Sequence, residues 1–173
     1  MNSITAAGSP LLSSRSEEWY TPDAIIDAVL QVWERIDLDP CSPSPPSIPA
    51  GQHFTKEDNG LLQRWNGRAY VNPPYGREVD KWIMKALDEY EAGNVSEVII
   101  LIAARTDTRW FNRLSKWPWC SIRGRLKFSG HKDAAPFPSG VFYLGANTDR
   151  FFEVFSSLGP IWMPAPDSAG GRS

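Results

Sequence analysis

The chain is predicted to fold as an α/β domain, a sheet with helices on both faces. Three observations carry that reading. Glu97-Val98-Ile99-Ile100-Leu101-Ile102-Ala103 is a continuous apolar run, the pattern of a central strand covered on both sides. Segments with apolar residues at helical spacing alternate along the chain with short apolar runs. Polar clusters follow those runs, at the strand ends where open α/β sheets hold their ligands. With 173 residues and 42% hydrophobic content there is room for one domain with a proper core. Residues 17–165 are expected to form it, between flexible tails at 1–16 and 166–173.

Thr21-Pro22 opens the first helix, Thr21 as N-cap and Pro22 at the first helical position. Ile25, Ile26, Val29, Leu30 and Trp33 then give it one buried face. Ile36-Asp37-Leu38-Asp39-Pro40 follows as a short strand ending in an acid, and Asp39 is placed to meet a ligand. Asp37 ranks second. Residues 42–53 are Pro/Ser-rich and aperiodic. They read as a loop where a doubly wound fold would place a helix and a strand, so that region is open to truncation.

Asp58-Asn59-Gly60 is turn chemistry, and Trp65-Asn66-Gly67 leads into a strand at Ala69. A helix spans about 78–91 on Val79, Trp82, Ile83, Ala86, Leu87 and Tyr90, and Gly93-Asn94 ends it. After the central strand, Thr106 or Asp107 caps a helix carrying Arg109, Trp110, Phe111 and Leu114. Cys120–Ile122, Arg125–Phe128 and Gly140–Leu144 read as short strands. Residues 149–158 read as a helix with Phe151, Phe152 and Phe155 inward, and Pro160–Met163 as a last strand.

The stretch with most chemistry is Ala69-Tyr70-Val71-Asn72-Pro73-Pro74-Tyr75-Gly76. A strand runs into a corner whose two prolines carry no N–H and cannot join a ladder. The backbone carbonyls there stay free to accept, beside the Asn72 amide and the Tyr75 ring. Two acceptors and an aromatic face can hold a planar aromatic amine.

Net charge is −2, which provides no global positive field and weighs against a nucleic-acid partner. Basic residues nevertheless crowd between Arg105 and Lys132. Of these Arg105, Arg109, Arg123, Arg125 and Lys127 are candidates for phosphate or base contacts, with solvated surface charge as the alternative for each alone. Arg105 has two further options, pairing with Asp107 or shaping a pocket. Cys41 and Cys120 are too few for a disulfide scaffold and lack metal-site spacing, and His53 and His131 sit apart. No metal site is read. No signal peptide and no long apolar run are seen, so a soluble cytoplasmic protein is expected.

Asn72-Pro73-Pro74-Tyr75 resembles the catalytic motif of amino-group methyltransferases that use S-adenosylmethionine. The wider set is similar to the phage-type DNA N6-adenine methyltransferases: Glu18–Pro22, Asp37–Cys41, Phe54–Leu61, Asn72–Gly76 and Arg105–Phe111, in that order. The resemblance implies a Rossmann-like methyltransferase sheet acting on DNA. It implies catalytic roles for Asn72, Pro73, Pro74 and Tyr75. It also implies a cofactor set of Tyr20, Thr21, Pro22, Asp37, Asp39, Pro40, Asp58 and Asn72, with Asp58 preferred to Glu57 and Asp39 suited to the cofactor's ammonium. The chain departs from the pattern after Asp39-Pro40, where Cys41-Ser42-Pro43-Ser44-Pro45-Pro46 replaces a Gly-rich loop. Two alternatives remain at this point: a methyltransferase for an RNA base or a protein glutamine amide, and an inactive DNA-binding relative. Oligomeric state is open.

Overall fold

The structure is a computed structural model that describes residues 19–165. The two expected tails, and Glu18 of the first resembling segment, lie outside the described residues. Helix α1 (Asp23–Trp33) leads into β1 (Ile36–Asp39), β2 (Ala50–His53) and β3 (Gly67–Val71). Helix α2 (Val79–Glu91), β4 (Val95–Ala103), α3 (Arg109–Leu114), β5 (Trp119–Ser121), β6 (Ser139–Leu144), α4 (Thr148–Phe155) and β7 (Ile161–Trp162) follow.

The seven strands form one mixed sheet in the order β2-β1-β3-β4-β6-β5-β7. β1 to β4 run parallel, β6 runs antiparallel to β4, and β5 runs antiparallel to β6. One sheet edge therefore collects the carboxyl ends of β1, β3, β4 and β5 with the amino end of β6. The chain moves outward from β1 to β2, then returns to lay β3 on the other side of β1. That reversal makes the β1/β3 boundary the topological switch point, where a crevice opens at the strand ends.

Alternation along the strands divides the core between two faces. Tyr70, Ile99, Leu101, Val141 and Tyr143 pack under α1 and α4. Ala69, Val71, Val98, Ile100, Ile102 and Phe142 pack under α2 and α3. Central strand β4 is wholly buried from Val98 to Ala103, as its apolar run requires. The predicted α/β architecture with helices on both faces is thus observed.

Several elements differ from the sequence reading. Residues 50–53 form strand β2, paired parallel to β1 through Ile36↔Ala50 and Leu38↔Gln52, so only the crossover helix is missing. Arg125–Phe128 is not a strand: β5 is already flanked by β6 and β7, leaving no ladder for it to join. The cap of α3 is Thr108, whose Oγ1 accepts from Phe111 N at 3.3 Å, rather than Thr106 or Asp107. Phe152 is 52% exposed, because the residue after Phe151 is turned about 100° round the helix. α2 ends as expected, with Gly93 at φ +74 and Asn94 N donating to Glu89 O.

Near the amino ends of the strands, Glu97 joins three elements. Its carboxylate accepts from Trp33 Nε1 at 2.9 Å and Tyr143 Oη at 2.6 Å, and pairs with Arg68 Nε at 3.2 Å. Removing it would leave the Trp33 and Tyr143 donors without an acceptor and Arg68 without its carboxylate, in a half-buried place. Glu97→Ala is expected to lower stability by about 3 kcal/mol in urea unfolding, with m unchanged.

Candidate active site

The site is built where β1 and β3 end side by side. Asp39 closes β1 and is 4% exposed. Its backbone carbonyl accepts from Phe54 N at 2.9 Å, which ties the β1 end to the segment after β2. Its carboxyl accepts from Cys41 N at 3.1 Å. Burial lifts the acid from 3.8 to about 6, while the Cys41 N–H, His53 and the Ser42 hydroxyl draw it partly back. The segment after Asp39-Pro40 lacks glycines, and another loop packs closely against its start. Gly60 comes from the other side: a Cβ there would lie 2.1 Å from Pro40 O. The glycine that permits contact sits on the opposite loop.

Asn72 follows β3. Its Nδ2 donates to Trp19 O at 2.6 Å and to Thr21 Oγ1 at 3.2 Å. Thr21 Oγ1 in turn bonds Tyr70 Oη at 2.9 Å, inside the core. Asn72 Oδ1 is buried and has no partner. The amide cannot be turned over without setting Oδ1 against the Trp19 carbonyl, acceptor against acceptor.

A cavity of about 840 Å³ opens beside these groups, lined among others by Thr21, Asp39, Pro40, Tyr70, Asn72 and Pro73. Small-molecule sites span roughly 300–1,000 Å³. A second cavity of about 360 Å³ is lined by Pro73, Tyr75, Arg105, Thr108 and Trp110 among others, so Pro73 borders both. The Tyr75 ring packs on Phe137 at 4.8 Å and meets Trp19 edge-on at 5.8 Å. Its hydroxyl is buried without a partner, and burial pushes the phenol well above its ordinary range. Trp19 also stacks flat on His131 at 4.0 Å, and Tyr20 bridges Ser129. These contacts join the start of the described chain to the 122–138 loop.

Of the eleven residues singled out for catalysis or cofactor, Tyr20, Thr21, Asp39, Pro40, Asn72, Pro73 and Pro74 line the larger cavity and Tyr75 lines the second. Three are placed elsewhere. The Asp37 carboxylate accepts from Arg68 N at 2.9 Å and pairs with Arg35 at 2.9 Å, away from the cavity. Asp58 is exposed and spends Oδ2 on Thr55 N and Oγ1, both at 2.9 Å, closing its own turn. Pro22 occupies the N-cap position of α1, and Thr21, freed from capping, turns its hydroxyl to Tyr70 and Asn72. Arg105, Arg109, Arg123, Arg125 and Lys127 are exposed in loops at the carboxyl edge or in α3, which starts there, and Arg105 walls the second cavity. None of the five forms an ion pair among the described residues. The sequence reading gave no role to the Tyr70 hydroxyl, the Trp19 carbonyl or Gly60. Only Trp19 had a signal, its place beside Tyr20-Thr21-Pro22.

The described residues form a mixed seven-stranded sheet with four helices, carrying a cavity at its switch point, and have the form of an α/β methyltransferase. A family model, DNA N-6-adenine-methyltransferase (Dam), matches residues 8–137, and the chain belongs to that family. Methylation of adenine in DNA is therefore its class of reaction, and S-adenosylmethionine the cofactor its family implies in general. Comparison with curated proteins gave no match. Among the described residues no helix is long and apolar enough to cross a membrane. Nor, among those residues, are three or more His, Cys, Asp or Glu grouped to hold a metal ion.

Two outcomes test this geometry. Gly60→Ala should lower the melting temperature by the equivalent of about 1–3 kcal/mol, because the new methyl meets fixed backbone. The second concerns Asp39, whose burial-raised acid costs stability fully above pH 6, a cost lost as pH falls toward 3.8. Asp39→Asn should stabilise the ligand-free protein by up to about 3 kcal/mol at pH 7–8. The gain should vanish by about pH 4 in denaturant titrations.

Proposed function

We propose that this chain transfers a methyl group from S-adenosylmethionine to the N6 amine of adenine in DNA, with the base held at Asn72-Pro73-Pro74-Tyr75. The observation that carries the reading is the Asn72 amide oxygen, buried, unpartnered and fixed in orientation. An orphaned buried acceptor costs about 1–3 kcal/mol, so a site that keeps one is built to receive a donor. An exocyclic amine brings two N–H groups. Asn72 Oδ1 takes one and the Pro73 carbonyl takes the other. Held so, the nitrogen is drawn away from conjugation with the ring, and its lone pair becomes available.

When bound, S-adenosylmethionine supplies an electrophilic methyl group carried on a sulfonium. The larger cavity suits it: the volume is adequate, and Asp39 offers a buried carboxylate for the ammonium. Tyr20, Thr21 and Pro40 form walls of that space. Pro73 borders both cavities, which supports an amine delivered from the Tyr75 side to a methyl on the Asp39 side. Tyr75 gives the extruded base a stacking face, offsetting part of the unstacking cost. Pro74 stiffens the corner. Catalysis is then chiefly orientation, with the acceptors already in place.

DNA reaches the site over the carboxyl edge. Arg105, Arg109, Arg123, Arg125 and Lys127 are exposed there without ion pairs among the described residues, available to phosphates. The segment after Asp39-Pro40 carries no glycines, so the cofactor contact falls to Asp39 and the Asp-Pro turn, against which Gly60 packs from the opposite loop. Transfer from labelled S-adenosylmethionine to DNA, RNA and protein, run side by side, separates this reading from the RNA-base and glutamine alternatives. DNA alone should take label, at adenine.

Three further outcomes follow from the roles. Asn72→Ala should keep the fold by circular dichroism and lose at least about 100-fold in kcat. Cofactor affinity by calorimetry should fall as pH drops below about 6, where Asp39 takes up a proton, and the Asp39→Asn variant should show a flat pH profile. Arg125→Ala should weaken DNA binding and reduce the slope of log affinity against log salt by about one.

A further inference from the structure

We infer that Tyr70 and Thr21 are positioning residues, which act on the reaction through the Asn72 amide. This rests on the reading of Asn72 given above and adds to it how the amide is held.

Tyr70 lies in β3 with its ring fully buried beneath α1 and its hydroxyl reaching the cavity wall. The hydroxyl has one partner, Thr21 Oγ1 at 2.9 Å. Thr21 Oγ1 also accepts from Asn72 Nδ2 at 3.2 Å, and the Trp19 carbonyl takes that nitrogen's other hydrogen at 2.6 Å. Both hydrogens of the amide nitrogen are thus engaged, and Oδ1 is the amide's one atom left to bind a substrate. Without the Thr21 contact the amide is held at one point and can rotate about its χ2, a broad torsion. Misplacement of an acceptor by about 1 Å can cost on the order of 100-fold in rate.

The arrangement also requires an amide at position 72. A carboxylate there would keep an acceptor for the substrate amine. It would also set its second oxygen against the Trp19 carbonyl and remove the donor that Thr21 receives. All three of these contacts join the segment before α1 to the end of β3, so the Thr-Pro entry to the first helix serves as a brace for the catalytic corner.

The test is a variant series in the full chain: Tyr70→Phe, Thr21→Val, Thr21→Ser and Asn72→Asp, with Asn72→Ala as reference. Tyr70→Phe and Thr21→Val should each lower kcat about 10-fold or more, and any rise in KM for S-adenosylmethionine, whose cavity both residues line, should be smaller than that loss. Thr21→Ser, which keeps the hydroxyl, should restore most of the rate, and Asn72→Asp should be slower than Tyr70→Phe. A merely structural role would shift KM and melting temperature together, without rescue by serine. If Asn72→Ala is inactive but Tyr70→Phe and Thr21→Val run at the wild-type kcat, this inference is overturned and the role of Asn72 stands. If Asn72→Ala is fully active, the underlying site assignment fails instead. Should Thr21→Val unfold, Tyr70→Phe against Thr21→Ser carries the comparison.

Discussion

The amide nitrogen of Asn72 is bound from two directions, by the Trp19 carbonyl and the Thr21 hydroxyl, and its oxygen is left alone in a buried place. A folded protein rarely leaves such an acceptor without a partner among its own groups. Much of the architecture can be seen as what keeps that state in being. The reversal of strand order at β1/β3 sets Asp39 and Asn72 on the wall of one cavity. The paired prolines keep the corner out of the sheet, and α1 delivers residues 19–21 against it. Two compact cores, one on each face, hold those strand ends in register.

Charge follows the same geography. The chain carries a net −2, yet its loops at the carboxyl edge and the adjoining α3 present Arg105, Arg109, Arg123, Arg125 and Lys127 without partners among the described residues. Near the amino ends, the acids Asp37 and Glu97 are engaged with Arg35 and Arg68. Net charge is a poor guide when the cations of one edge are unpaired among the described residues and those near the amino ends are held by acids. Local potential at the cavity mouth, not the total, meets a phosphate backbone first. The acid kept inside the cavity, Asp39, is the exception, and its burial makes sense for a cationic ligand.

What could be read from sequence was what is local. The apolar run of β4, the helical spacing of α1 and α2, and the Asn-Pro-Pro-Tyr corner are properties of consecutive residues, and the structure has all of them. Asp39 was placed by one rule, that ligands gather at strand ends. The misplacements share a cause. Asp37 and Asp58 are acids in suitable neighbourhoods, but their oxygens were already taken by Arg68 N and Thr55. β2 carries only four residues, one of them glycine, and owes its pairing to β1 rather than to its own propensity. The bond between Thr21 and Tyr70 spans 49 positions, and nothing within either segment announces it. Gly60 against Pro40 is likewise a contact between loops, seen only once both are folded.

The most direct measurement is a crystal structure of the chain with a non-reactive S-adenosylmethionine analogue and adenine-containing DNA. The account predicts the adenine N6 within about 3.2 Å of both Asn72 Oδ1 and the Pro73 carbonyl. It also predicts Asn72 Nδ2 still on Trp19 O and the analogue's ammonium facing Asp39. An Asn72 amide turned so that nitrogen faces the base, or an adenine bound away from this corner, would contradict it.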